Sequence, residues 1–174
     1  MKLVVDASVL IAARDMKDPN NMRAKEFLRR LGKVHQAMVA SPLLTELVCV
    51  MARRNPPVPP VPSREAAQKC AEWLSALPGV ELMPMTIERA TKAACLGASL
   101  GLKGMDAFAA CLAFEQGRDL VTLDGDFKDV DRRAKTLGPT SQPTDDGLEI
   151  RQGASWAFRY EGKRVRLLKL EEVP

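Results

Sequence analysis

Four short apolar runs are spaced along this chain: Leu3-Val4-Val5, Ala37 to Ala40, Val80 to Met83 and Leu120-Val121-Thr122-Leu123. Stretches with apolar residues at helical spacing separate them. That alternation limits the fold more than any other feature. Strands this short and this apolar, parted by helices, make a parallel sheet covered on both faces. Strands are therefore expected at 2–5, 37–40, 80–83 and 120–123. Helices are expected from a Ser8 cap to about Arg14, along the Ala24, Phe27, Leu28 and Leu31 stripe, and from Ser41-Pro42 to about Arg54. Three more are expected over 63–77, 86–100 and 105–116.

Two segments break the alternation. Asn55-Pro56-Pro57-Val58-Pro59-Pro60-Val61-Pro62 has five prolines in eight residues, a semi-rigid spacer without the donors that a helix or sheet needs. Residues 131–147 are polar and dotted with Gly and Pro, so a loop is expected there, followed by an edge strand at Leu148–Arg151. Beyond Gly153, Trp156, Phe158 and Tyr160 alternate, Glu161-Gly162-Lys163 can turn, and Val165 and Leu167 alternate back, which is a hairpin pattern. The expected organisation is a domain over 1–150 carrying the 55–62 spacer, and a basic C-terminal hairpin extension over 151–174.

At 174 residues a chain buries roughly 70% of its unfolded surface, enough for a core without disulfides or a structural metal. Cys49, Cys70, Cys95 and Cys111 form no C-x-x-C pair and have only His35 to help them, which excludes a zinc finger or ribbon. The net charge is +4, but residues 1–150 are almost balanced, with 20 Lys/Arg against 19 Asp/Glu, and 151–174 carry most of the excess. A near-neutral body argues against binding a duplex through one large positive face. Asp6 interrupts the N-terminal apolar run, no small-residue cleavage site follows it, and no stretch reaches membrane-span length. A cytoplasmic protein without a membrane segment is expected.

Asp6, Glu46, Asp106 and Asp124 are embedded in apolar surroundings, where an ionised carboxylate is costly unless a cation or donors compensate. Each has an ordinary reading. Asp6 could cap the next helix, Glu46 could be a solvated Glu at a stripe edge, Asp106 could answer a helix N-terminus, and Asp124-Gly125 could be a turn. Taken together, two of them end apolar strands on the crevice side of an open sheet, and two sit on helices able to lean over that crevice. Four anions need a cation, and oxygen ligands without His or Cys suit Mg²⁺ or Mn²⁺. The implied chemistry is phosphodiester hydrolysis.

Four stretches carry a family resemblance: Leu3-Val4-Val5-Asp6-Ala7-Ser8-Val9-Leu10, Ser41-Pro42-Leu43-Leu44-Thr45-Glu46-Leu47, Gly101 to Ala110, and Leu120 to Phe127. Through them the chain resembles a PIN-domain ribonuclease, most closely the toxin subunit of the VapBC toxin–antitoxin systems. The resemblance implies a three-layer α/β/α sandwich with a short parallel central sheet, metal-dependent cleavage of single-stranded RNA, a small VapB-like antitoxin and a homodimer. It assigns Asp6, Glu46, Asp106 and Asp124 to catalysis and to Mg²⁺ or Mn²⁺, with Asp126 as a possible fifth metal contact. Ser8 and Thr122 match the family's supporting hydroxyls. The spacer and the hairpin depart from the family's compact pattern.

Arg14, Lys103 and Lys128 are the bases nearest the quartet in the chain, and Arg159, Lys163, Arg164 and Arg166 interleave with aromatics as in a single-strand track. All seven are candidate RNA contacts. Two alternatives keep the same scaffold: a housekeeping PIN nuclease of RNA processing, and a PIN-like module that binds RNA or protein without cutting.

Overall fold

The computed structural model describes residues 1–54, 63–125, 127, 147–150, 156–160 and 163–173, with backbone alone at 54, 63, 64, 66, 147–150, 156–160 and 163. Leu3, Val4 and Val5 of β1 (Lys2–Val5) are fully buried, so both faces of this strand are covered. Its neighbours are β2 (Gln36–Ala40) on one side and β4 (Leu120–Val121) on the other, both parallel to it. β3 (Val80–Met83) extends the sheet beyond β2.

The expected hairpin is present as β6 (Trp156–Tyr160) and β7 (Lys163–Leu168), and it is built into the sheet. β7 runs parallel beside β4, with Leu120 opposite Leu167, and so supplies a fifth parallel strand. The antiparallel strand β5 (Gly147–Ile150) closes the far edge, giving the order β3-β2-β1-β4-β7-β6-β5. The chain winds outward from β1 to β3, then returns to place β4 on β1's other side. An open sheet has its ligand crevice at such a reversal, outside the carboxyl ends of the two strands.

Six helices accompany the sheet among the described residues: α1 (Ala7–Arg14), α2 (Asn21–Arg30), α3 (Pro42–Arg54), α4 (Ser63–Ala76), α5 (Ile87–Leu100) and α6 (Gly104–Gln116). α6 crosses β1, β2, β4 and β7 with α5 packed along it. Its alanines permit that closeness: Ala107, Ala109, Ala110 and Ala113 are all buried, and a Cβ on Gly97 of α5 would come 3.1 Å from Ala107 Cβ. The turns entering β2 and β3 meet at Gly32 and Gly79, both at positive φ. A Cβ on Gly79 would lie 2.4 Å from Gly32 N, so only glycine serves there.

One cap differs from expectation, whereas α3 starts at Pro42 after Ser41 as expected. α1 is capped by Asp6, whose Oδ2 accepts the Ser8 N–H at 3.3 Å; the expected cap, Ser8, is already inside the helix. The Ser41 hydroxyl accepts the Met85 N–H at 3.2 Å, tying the start of α3 to the chain leaving β3. β4 ends at Val121, two residues before the expected boundary, which frees Thr122 and Leu123 for side-chain contacts. The spacer at 55–62 and the expected loop at 131–147 lie outside the described residues, save Gly147, which begins β5. No single helix among the described residues is long and apolar enough to cross a membrane.

Candidate active site

Val5 and Val121 stand side by side at the carboxyl ends of β1 and β4, and the residues that follow each of them build the site. Asp6 N–H donates to Val121 O at 3.0 Å, carrying the ladder one step past β1. The Asp6 side chain is buried, and three donors converge on Oδ2: the Ser8 hydroxyl at 2.6 Å, the Thr122 hydroxyl at 3.0 Å and the Ser8 N–H at 3.3 Å. The two hydroxyls are themselves engaged, Ser8 Oγ accepting the Leu123 N–H and Thr122 Oγ1 accepting the Asp124 N–H, each at 3.0 Å. One short network thus fixes the Asp6 rotamer and the course of the chain into Asp124.

A cleft of about 290 Å³ opens at this point. Asp6, Glu46 and Asp124 line it with Ser8, so a residue from the second turn of α3 joins the two strand ends. Burial pushes the Asp6 carboxyl above its ordinary value, against the pull of the Ser8 and Thr122 hydrogen bonds. Burial raises Glu46 as well, and the charges of Asp6 and Asp124 raise it further. These three carboxylates therefore repel one another across the cleft. No Lys or Arg is among the described residues that line it.

Asp18 also lines the cleft, with Asn20, and the sequence marked both as turn residues only. Their loop is fixed from within. Asp18 accepts the Asn20 N–H at 2.8 Å, and buried Asn21 donates to Ala12 O and Ala13 O at 2.7 and 3.1 Å, clamping α2 to the end of α1. Nothing in the spacing of Asp18 separates a cleft-facing Asp from a solvated one. A long-range fold-back puts it there.

The other expected site residues fall elsewhere. Asp106 is buried in the first turn of α6, where the helix N-terminus favours a carboxylate, and is not among the lining residues of this cleft. Arg14 ends α1, a helix-length of about 12 Å from Asp6, and its guanidinium lies 5.1 Å over the Trp73 ring. Lys103 precedes α6 and is exposed. Arg166 is held by Asp119 through two hydrogen bonds of 3.0 and 2.5 Å at the amino end of β4. Because β7 runs parallel to β4, Arg164 and Arg166 sit toward the end of the sheet opposite the cleft. Asp126, Lys128 and the side chains of Arg159 and Lys163 lie outside the described residues.

A family model described as the PIN domain matches residues 3–133. Among solved structures, VapC20 of Mycobacterium tuberculosis, a sarcin–ricin loop cleaving toxin, aligns with 20% identity and a TM-score of 0.58, covering 72% of this chain and 92% of its own. A toxin–antitoxin complex from Klebsiella pneumoniae aligns at 19% identity and 0.51, covering 72% and 89%. VapBC2 of Rickettsia felis, bound to a DNA fragment from its promoter, aligns at 19% and 0.51, covering 75% and 93%. At such identities the likeness is one of fold. No curated protein sequence matches the chain.

Proposed function

This chain belongs to the PIN-domain family, and from that premise we propose that it is a divalent-metal-dependent endoribonuclease of single-stranded RNA, the toxin of a toxin–antitoxin pair. One observation carries the reading: Asp6, Glu46 and Asp124 crowd a single cleft at the sheet's crevice with no lining cation among the described residues. The similarity to a sarcin–ricin loop cleaving toxin and to a toxin–antitoxin complex supports it.

The residues fit a hard cation. The donors are carboxylates and hydroxyls, without His or Cys, which suits Mg²⁺ or Mn²⁺. No three of the carboxylates among the described residues stand close enough to cage an ion by themselves. An ion would complete its shell with water and phosphate oxygens, as Mg²⁺ commonly does. Asp6, Glu46 and Asp124 would hold it, and the family resemblance adds Asp106 and Asp126 as metal contacts. Bound there, the ion would supply a hydroxide from water and steady the charge that builds on the phosphate.

The chain's own residues do the positioning. Ser8 and Thr122 pin Asp6 Oδ2, so the carboxylate is oriented before any ion arrives. Burial, and after it the charges of Asp6 and Asp124, raise the Glu46 pKa, so positive charge entering the cleft would favour its ionised form. A small VapB-like antitoxin, a homodimer and a cytoplasmic setting belong to the same reading.

The test is cleavage of a single-stranded RNA by antitoxin-free protein, with Mg²⁺ or Mn²⁺ and with excess chelator. Cleavage that the chelator abolishes and that Glu46→Gln and Asp124→Asn lose is the expected result. RNA binding with no turnover under any metal would favour the non-cutting module. Co-purification with the product of a short neighbouring reading frame tests the antitoxin, and a lone gene would favour a housekeeping nuclease.

A further inference from the structure

Beyond Asp124 the acid cleft continues into a second hollow of about 180 Å³, and the two share Asn20, Leu123 and Asp124 as walls. Their charges differ. The second hollow draws in Arg23 from the first turn of α2 and Lys169, the residue that follows β7. Among the described residues lining the two hollows, these are the only Lys or Arg. Glu171 faces them, its carboxylate 3.6 Å from Arg23 Nη1, and both side chains are more than half exposed. Such a pair is weak and exchangeable.

We propose that Arg23 and Lys169 form a phosphate subsite that takes a backbone phosphate of the RNA strand flanking the one in the acid cleft, with Glu171 as the internal anion that the phosphate displaces. This rests on the nuclease reading above. A single strand brings a negative charge with every nucleotide. The acid cleft repels all of them, and an ion held by Asp6 and Glu46 offsets charge only at the bond to be cut. The adjoining phosphate needs its own cation, and basic grooves beside a reaction site are how proteins track a single strand.

The fold sets the spacing between the two hollows. Thr122 N–H donates to Leu168 O at 3.3 Å, and Lys169 N–H donates to Glu172 Oε2 at 2.9 Å. The backbone carrying Lys169 is thereby tied to the residue whose hydroxyl holds Asp6. Arg164 and Arg166, nominated by composition, lie farther off: at roughly 3.3 Å per residue Arg164 begins about 16 Å down the strand from Lys169, and Arg166 is bound to Asp119.

Steady-state cleavage of a short labelled RNA, repeated over a range of salt, tests the subsite. Lys169→Gln and Arg23→Ala should each raise KM roughly tenfold with kcat changed less than about twofold. Each should also flatten the log–log salt dependence of binding by about 0.7. Lys169→Arg should restore KM. Glu171→Gln should lower KM, because it removes the competing anion; if the Arg23–Glu171 pair were merely structural, it would instead behave like Arg23→Ala. If the wild type cuts RNA and the Lys169 and Arg23 variants keep its KM and salt slope, the subsite is wrong and the nuclease reading stands. If the wild type neither cuts nor binds RNA, both fall.

Discussion

Glu46 on α3 and Glu115 on α6 are both partly buried carboxylates on helices, and their surroundings are opposite. Glu115 meets Arg89 of α5 at 2.6 Å, a pair whose side chains are only 22% and 13% exposed. Arg89 also donates to Pro84 O, and Cys111 lies against Glu115, its thiol pushed by burial to about 11 and so kept neutral. Every charge at that seam is answered from inside the chain. Glu46 faces two further carboxylates, and its pKa is raised first by burial and then further by their charges. Folding thus neutralises one carboxylate internally and sets the other in a cleft that no Lys or Arg lines among the described residues. The first arrangement holds two helices together. The second is destabilising until something positive binds, which is the signature of a site.

The largest test of this contrast is Asp6→Asn. Asparagine caps a helix as well as aspartate and removes a charge from a buried position, so the melting temperature should hold or rise. RNA cleavage should fall by about a thousandfold, equivalent to roughly 4 kcal/mol of barrier. A parallel loss of stability and activity would make Asp6 a structural residue. Arg89→Met should do the reverse. Stranding Glu115 should cost about 3 kcal/mol in denaturant unfolding, while kcat measured well below the melting point stays within about twofold.

Thr122→Val should come next. It removes one donor to Asp6 and the acceptor for Asp124 N–H, and a loss of roughly tenfold in cleavage is expected from a misoriented ligand. The smallest effect is in pH. Glu46 ionises above its ordinary value of 4.5 in the folded chain. Between that value and its raised one the folded state holds the proton more than the unfolded state does. Stability of the metal-free protein should therefore fall as pH rises through that window. Glu46→Gln should flatten that part of the profile, and a slope unchanged by the substitution would mean that Glu46 does not carry the raised pKa.

Much of the scaffold could be read from the chain because its signals are local. The Leu3-Val4-Val5 and Leu120-Val121 runs end at the residues that face the crevice, and Glu46 announced itself by standing between Leu43 and Val50 on an apolar face. The pairing of β7 with β4 could not be read so. Alternation marks a hairpin, but which strand it joins depends on contacts more than forty residues away, between Leu120 and Leu167. That single unknown hid which end of the sheet Arg164 and Arg166 occupy. Arg166 looked like part of an RNA track and is bound to Asp119, whereas Lys169, which composition did not distinguish, arrives beside Asp124. Asp18 and Asn20 were hidden for the same reason, since a turn signal does not say toward what the turn folds.

Calorimetric titration of the metal-free full chain with Mn²⁺ at neutral pH addresses the central claim most directly, that the acid cleft is completed by a divalent cation. Saturable binding is the predicted result, with a raised melting temperature, worth about 2.7 kcal/mol at a hundredfold excess over Kd, and with both effects lost in Asp6→Asn and Glu46→Gln. Equal binding and equal stabilisation in wild type and both variants would contradict it.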